Sequence, residues 1–161
     1  MRLPRAFADR VARRFHRLAM RRPPDFVVGG AESPYLRRWW LIPRNAVLNV
    51  YLHQFLRSDD ERALHDHPWS SVSLILAGGY LEHTAAQDVS TRRRWFGPGA
   101  VIVRSPAAAH RIEIPPHGQA WTLFITGPRV REWGFHCPQG WRPWHAFVDP
   151  ADRGSIGPGC D

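Results

Sequence analysis

Short apolar runs separated by turn residues dominate the chain from residue 25 onwards. Alternating apolar and polar positions predict β-strands that are buried on one face. Turn residues such as Gly78-Gly79 and the polar loop 58–61 separate them. The pattern predicts strands over residues 47–55, 72–77, 80–84, 92–96, 100–104, 110–114, 119–126 and 144–148. Many short strands at intervals of about 8–12 residues, with little helix between them, indicate an all-β sandwich or barrel.

The beginning of the chain has helical rather than strand periodicity. A helix is predicted over residues 5–22, and its apolar face consists of Phe7, Val11, Phe15 and Leu18. Pro23-Pro24 ends it, because proline lacks the backbone donor and restricts the preceding residue. Our default interpretation is that the apolar face packs on the domain. An anionic membrane surface and an Arg-rich targeting peptide are the alternatives.

These patterns divide the chain into three parts. They are a basic amphipathic leader helix (1–24), a β-domain (25–150) and a flexible, glycine-rich tail (151–161). The net charge is +8, of which residues 1–22 carry +7 from eight arginines and one aspartate. Because the rest of the chain is nearly neutral, we expect no nucleic-acid partner. No run approaches the roughly 18–20 apolar residues of a membrane span.

The two cysteines favour a reducing compartment. Cys137 and Cys160 are too few for a disulfide-built scaffold, and Cys160 is one residue from the end of the sequence. We therefore expect Cys137 to be an ordinary half-buried cysteine and the protein to be cytoplasmic.

The candidate chemistry lies in two histidines that are one residue apart. Side chains alternate between the faces of a strand, so His65 and His67 point the same way and Asp66 points away. A third histidine on a neighbouring strand completes a three-nitrogen face around one metal ion. His110, which follows Pro106, is the candidate.

The order of these motifs resembles that of the cupin superfamily, whose fold is a double-stranded β-helix or jelly-roll barrel. The first cupin motif combines His-x-His with a glutamate and a later glycine. Here His65 and His67 are followed by Gly78-Gly79, but the glutamate position falls at Ser71 or Val72 and is not acidic.

The second cupin motif places a proline and a histidine after a glycine. Gly99, Pro106 and His110 follow that order, with spacings altered by one residue. Together the two motifs cover residues 65–110, and the strand-rich flanks up to about residue 148 are compatible with the same barrel.

The resemblance implies a small cupin that binds one divalent transition metal through His65, His67 and His110. Fe(II) is favoured, while Zn, Ni, Mn and Cu are the other candidates. Without the motif glutamate the ligand set is neutral, as in the three-histidine site of the cupin thiol dioxygenases. Glu82 is a candidate substitute ligand, and His53 a candidate ligand or partner of a ligand.

The leading function is that of a non-haem Fe(II) dioxygenase acting on a small molecule. Tyr51 is a candidate proton donor, and Arg104 or Arg111 a candidate for binding a substrate carboxylate. The alternatives are a non-catalytic ligand-binding or regulatory cupin, and a metal-assisted isomerase or lyase with Tyr51, Glu82 or Glu113 as base. Because cupin barrels often pair through edge strands, we also expect a homodimer.

Overall fold

Two antiparallel sheets of six strands each make up the fold. The computed structural model describes residues 2–29, 33–59, 63–85, 91–151 and 157–161. Along this part of the chain the elements are α1 (Arg5–Ala19), β1 (Phe26–Val28), β2 (Leu36–Trp40), β3 (Asn49–Phe55), β4 (Leu64–His65), β5 (Ser71–Gly78), β6 (Tyr80–Ala85), β7 (Thr91–Phe96), β8 (Val101–Arg104), β9 (His110–Glu113), β10 (Ala120–Thr126), β11 (Gly134–Cys137), β12 (Gly140–Pro143) and α2 (Trp144–Phe147).

The sheets pack face to face around an apolar core. The first has the strand order β1-β2-β3-β10-β5-β8, and the second the order β12-β11-β4-β9-β6-β7. Buried side chains from both sheets form one cluster, which includes Phe55 and Ile75 from the first sheet and Tyr80 and Ile112 from the second. The all-β jelly-roll fold predicted from the sequence is therefore confirmed, together with its N-terminal helix.

Gly78 makes the turn at which the chain leaves the first sheet for the second. Its φ of +67° lies in the left-handed region, which favours glycine. A Cβ atom at this position would also collide with the backbone oxygen of Gln119. The turn therefore requires glycine, and it connects β5 of one sheet directly to β6 of the other.

Helix α1 covers the outer face of the first sheet. Its Val11 and Phe15 pack against a second buried cluster formed by Trp39, Leu52 and Leu76. This packing agrees with the default interpretation of the amphipathic pattern, although Phe7 stays half exposed. Within the described residues, no helix is long and apolar enough to cross a membrane.

The strand predicted over residues 144–148 is wrong. A single helical turn, α2, occupies this place, closed by a hydrogen bond from the backbone N–H of Val148 to the carbonyl of Trp144. Trp144 stacks on Trp133 with an interplanar angle of 4°. Tertiary packing of these rings outweighs the strand preference of an aromatic, β-branched run.

The prediction of a free Cys137 is also wrong, because Cys137 and Cys160 form a disulfide. Gly157 and Gly159 both donate backbone hydrogen bonds to the carbonyl of Phe147. Nη1 of Arg142 donates to the carbonyls of Gly159 and Asp161, each at 2.6 Å. The end of the predicted tail is therefore held against β11 and α2, while residues 152–156 lie outside the described residues.

Candidate metal centre

Three histidines of the second sheet meet on one wall of the interior. His65 on β4 and His110 on β9 lie directly opposite each other in the antiparallel pair. His67 follows β4, and its backbone N–H donates to the carbonyl of Pro106 at 3.1 Å. The ring centroids of the three histidines are 5.0, 5.1 and 5.2 Å apart. The fold thus brings together the three residues that the sequence predicts as metal ligands.

The ring nitrogens of these histidines converge on a common point. One nitrogen from each ring lies within 4.8 Å of the others. Nε2 of His67 is 2.9 Å from Nε2 of His110. Two nitrogens bound to one ion at about 2.1 Å, and at right angles, would be about 3.0 Å apart. The three-imidazole donor set therefore fits one divalent transition metal.

Two carboxylates lie behind the converging nitrogens. Oε1 of Glu82 is 2.9 Å from Nδ1 of His110, off the direction of a hydrogen bond, so the contact is electrostatic. Oδ2 of Asp59 is 3.9 Å from Nδ1 of His65. Carboxylates in such positions orient a metal-binding imidazole and increase its basicity. Glu82 thus contacts the far side of His110, and it is not part of the converging group.

Burial keeps the three imidazoles neutral. It lowers the pKa of His65 from the ordinary value of 6.5, and it holds the pKa of His67 and of His110 well below that value. The positive charge of Arg104 further lowers the pKa of His110. Neutral imidazole is the form that binds a metal, so these residues need no deprotonation at neutral pH.

A cavity of about 330 Å³ lies beside the three histidines. Its walls are mostly apolar and aromatic, with Phe55, Phe124 and Trp133 among them. Two guanidinium groups, those of Arg38 and Arg104, also line it, whereas no carboxylate does so among the described residues. The site is therefore a largely apolar pocket with a metal-binding wall and an excess of positive charge.

Arg104 is paired with Glu82 inside the protein. Its Nε donates to Oε1 of Glu82 at 2.8 Å, and its Nη2 contacts the same oxygen. Both side chains are buried. The guanidinium that the sequence predicts for a substrate carboxylate thus already has a carboxylate partner of its own.

Tyr51 and His53, the two predicted site residues of β3, lie around Arg38. Nε2 of His53 accepts a hydrogen bond from Nε of Arg38 at 2.8 Å. The guanidinium lies 5.0 Å from the ring centroid of Tyr51. The rings of Tyr51 and His53 stack with their centroids 5.8 Å apart. Among the described residues, His53 is outside the converging group of nitrogens, and Tyr51 is outside the cavity lining.

Asp66 points away from the three histidines, as the alternation along the strand predicts, and it is buried. Its carboxylate accepts hydrogen bonds from the backbone N–H of Gly134 at 2.9 Å and from Nε1 of Trp141 at 3.0 Å, and it pairs with Arg131 at 2.8 Å. Burial raises the pKa of Asp66, but these partners outweigh burial and lower it overall. Asp66 therefore joins β11 and β12 to the segment that carries His65 and His67.

Sequence reasoning missed Arg38. It lies in a segment for which no strand was predicted. Every second residue of β2 pairs with an inward-facing residue of β3, and these residues are Leu36, Arg38 and Trp40. The alternation of inward and outward side chains is therefore present, but one of the inward positions is an arginine. A charged residue on the inner face of a strand interrupts the apolar alternation by which a strand is identified.

Comparison with known proteins shows the fold and no close relative. No family model matches the sequence, and no curated protein matches it. The chain is similar to the polyketide cyclase RemF from Streptomyces resistomycificus, with 16% identity, a TM-score of 0.52 and coverage of 68% of this chain and 80% of RemF. It is also similar to an uncharacterized Klebsiella pneumoniae protein with a double-stranded β-helix domain, with 13% identity, a TM-score of 0.51 and coverage of 68% and 90%.

A further solved structure with this fold is HppE in its Fe(II) form. The identity is 14% and the TM-score 0.50, and the match covers 62% of this chain. It covers 54% of HppE, so the chain spans about half the length of that protein. Identities this low establish a shared fold, while the chemistry has to be argued from the residues of the site.

Proposed function

The chain has the double-stranded β-helix fold of the cupin superfamily, and on that premise we propose that it is a non-haem Fe(II) dioxygenase acting on a small molecule. The observation that carries this proposal is the convergence of three neutral imidazoles, without a carboxylate among them, on the wall of an interior cavity. A three-histidine set is compatible with several divalent metals. The Fe(II) form of HppE, which has the same fold, favours iron among them.

The residues of the chain have separate tasks in this proposal. His65, His67 and His110 hold the ion, while Glu82 and Asp59 orient two of the rings from behind. Bound Fe(II) would supply the one-electron chemistry that reaction with O₂ requires. The mostly apolar walls of the cavity leave room for a small substrate beside the ion.

The test is metal analysis followed by oxygen consumption. Protein purified anaerobically without a histidine tag should bind about one equivalent of Fe(II), and it should consume O₂ when a suitable substrate is present. His110→Ala should lose the metal and remain folded by circular dichroism. His145→Ala, which removes an exposed imidazole, is the matched control. Failure of the wild-type protein to bind Fe(II), or unchanged binding in His110→Ala, would contradict the proposal.

A non-catalytic ligand-binding cupin is the second candidate, and one observation favours it. The glutamate of the first motif is missing, and Glu82 is occupied by Arg104 and His110. Such a protein would bind its ligand equally well with and without metal. Ligand affinity measured before and after chelation, together with the absence of turnover, would support this function over the first.

The isomerase or lyase hypothesis has less support from the placement of its candidate bases. Tyr51, Glu82 and Glu113 are all outside the cavity lining. Oε2 of Glu113 is also hydrogen-bonded to Nε2 of His83 at 2.6 Å. Turnover of a substrate in the absence of O₂ would nevertheless favour this class. The catalytic roles of Tyr51 and Arg104 stay predictions, to be tested by Tyr51→Phe and Arg104→Gln once a substrate is known.

The cytoplasmic location also stays a prediction. Disulfides are typical of oxidising compartments, so the Cys137–Cys160 bond argues for an oxidising compartment and against the cytoplasm. Thiol titration of the protein isolated from its own cells under alkylating conditions would decide between them. Two free thiols would support a reducing compartment, whereas the absence of free thiols would contradict it.

A further inference from the structure

The guanidinium of Arg38 stands on the inner face of the fold without a carboxylate partner among the described residues. It is held by Nε, which donates to Nε2 of His53 at 2.8 Å, and by the rings of Tyr51 and Phe26 at 5.0 and 5.9 Å. All of these partners are uncharged. By contrast, Arg22, Arg93, Arg104, Arg111 and Arg131 each have an aspartate or glutamate within 4.0 Å.

The hydrogen bond to His53 determines which part of Arg38 remains available. Nε2 of His53 is the acceptor, so the imidazole is neutral and carries its proton on Nδ1. Burial lowers the pKa of His53 well below 6.5, and the charge of Arg38 lowers it further. Nε is used in this contact, which leaves the two terminal nitrogens of Arg38 with no hydrogen-bond acceptor among the described residues. These two nitrogens form the end of the fork that binds a carboxylate bidentately.

Among the described residues, Arg38 carries a charge in the cavity that no carboxylate balances. Arg38 and Arg104 both line the cavity, but the charge of Arg104 is matched by Glu82. No described carboxylate lines the cavity. Arg38 is half-buried, so its guanidinium keeps part of its contact with water, and an anion in the cavity would replace that water. A divalent ion on three neutral histidines would add further positive charge.

Arg38 also lies where two pockets meet. It lines both the inner cavity and an adjoining groove of about 350 Å³, and Trp133 is common to the two. The groove contains a second cation, Arg44, whose guanidinium lies 5.6 Å from the ring centroid of Trp40. Two cations along one groove attract anions and repel cations.

We propose that Arg38 is the anion-binding residue of this site and takes the carboxylate of a small molecule whose apolar or aromatic body lies among the cavity walls. This inference rests on the proposed function, because it names the substrate class of the same cavity. About 330 Å³ is near the lower end for small-molecule sites, so a single-ring carboxylate suits it. The aromatic side chains Phe55, Phe124 and Trp133 would surround the body of the ligand.

The probes are benzoate, phenylacetate and 3-phenylpropionate, each compared with its uncharged amide. Binding is measured by titration calorimetry on the purified protein, before and after chelation, so that a carboxylate bound to metal is distinguished from one bound to Arg38. We expect at least one carboxylate to bind ten-fold or more tightly than its amide, also after chelation. No preference for any carboxylate over its amide in the chelated wild-type protein would overturn the proposal.

The variants test whether Arg38 is the cause of that preference. Arg38→Met should weaken carboxylate binding by about 10- to 100-fold, as expected for loss of a charged hydrogen-bonded pair, and leave the amide unchanged. Arg37→Met removes the same charge from the exposed neighbouring position of β2, and it should change neither affinity. Arg38→Gln keeps a donor for His53 and is the second variant if Arg38→Met does not fold. A variant without Arg38 that still prefers the carboxylate would overturn the proposal.

Metal binding by the same samples separates this inference from the proposed function. Co(II) bound at the three histidines is followed by visible absorption. One equivalent of Co(II) without a carboxylate preference would overturn the role of Arg38 alone. A carboxylate preference that depends on Arg38, in a protein that binds no metal, would contradict the dioxygenase proposal alone.

Discussion

Nδ1 of His110 lies 2.9 Å from Oε1 of Glu82, while Nε2 of the same ring faces Nε2 of His67. The carboxylate stabilises the proton on Nδ1, and this leaves Nε2 free for a metal. The same carboxylate also pairs with Arg104. One buried glutamate therefore connects the metal-binding wall to a cation that lines the cavity.

Replacing this glutamate should weaken the metal site without removing a ligand. For Glu82→Gln we expect metal affinity to fall by about 10- to 100-fold, because His110 loses its orienting charge. Competition with a chromophoric chelator measures the change. Glu113→Gln is the matched control, since Glu113 forms a histidine–carboxylate pair with His83 outside the cavity lining. Equal metal affinity in Glu82→Gln and wild type would contradict this role.

The stability of the metal-free protein should fall as the pH falls below about 6.5. Burial lowers the pKa of His53, His65, His67 and His110, so the unfolded chain takes up protons before the folded protein does. The contribution of these histidines to the free energy of unfolding is therefore fully present above their pKa in the unfolded chain. It is lost as the pH decreases from that value to their lowered pKa in the folded protein. Urea unfolding between pH 8 and pH 5 in the presence of a chelator measures this slope.

A His53→Leu variant provides the control for that slope. It should reduce the pH dependence by at most about 1.4 kcal/mol per pH unit, the contribution of one proton. Metal-free stability that is constant between pH 8 and pH 5 would contradict the burial of the cluster.

Asp66 should be important for stability, although its carboxylate points away from the two proposed ligands that flank it. Asp66→Ala leaves Trp141, Arg131 and the backbone of Gly134 without their common acceptor, so we expect a loss of about 3 kcal/mol. Chemical denaturation measures the change, with Asp9→Ala on helix α1 as the control. A loss below about 0.5 kcal/mol would show that the network contributes little.

The disulfide should stabilise the end of the chain. Cys137 and Cys160 are 23 residues apart, and a closed loop of that length contributes about 3 kcal/mol through the entropy of the unfolded chain. The Cys137→Ser variant should therefore melt at a lower temperature, and the wild-type protein treated with a reductant should resemble it. A melting temperature that does not respond to reductant in the wild type would contradict the bond.

The sequence by itself determined the elements whose cause is local. Alternation predicted most of the strands, and the same alternation placed His65 and His67 on one side and Asp66 on the other. The order of the motifs then indicated His110. These predictions needed only neighbouring residues and a resemblance, so they could be made without knowledge of strand pairing.

Only the tertiary structure decided which distant residues meet. Arg38 faces His53 because β2 pairs with β3 in one register, and Arg104 meets Glu82 across the interior. The Cys137–Cys160 bond and the helical turn of α2 likewise depend on packing between segments that the local pattern treats separately. The periodicity of a strand reports which side chains share a face. Register and partner depend on long-range burial, which leaves no local signal in the sequence.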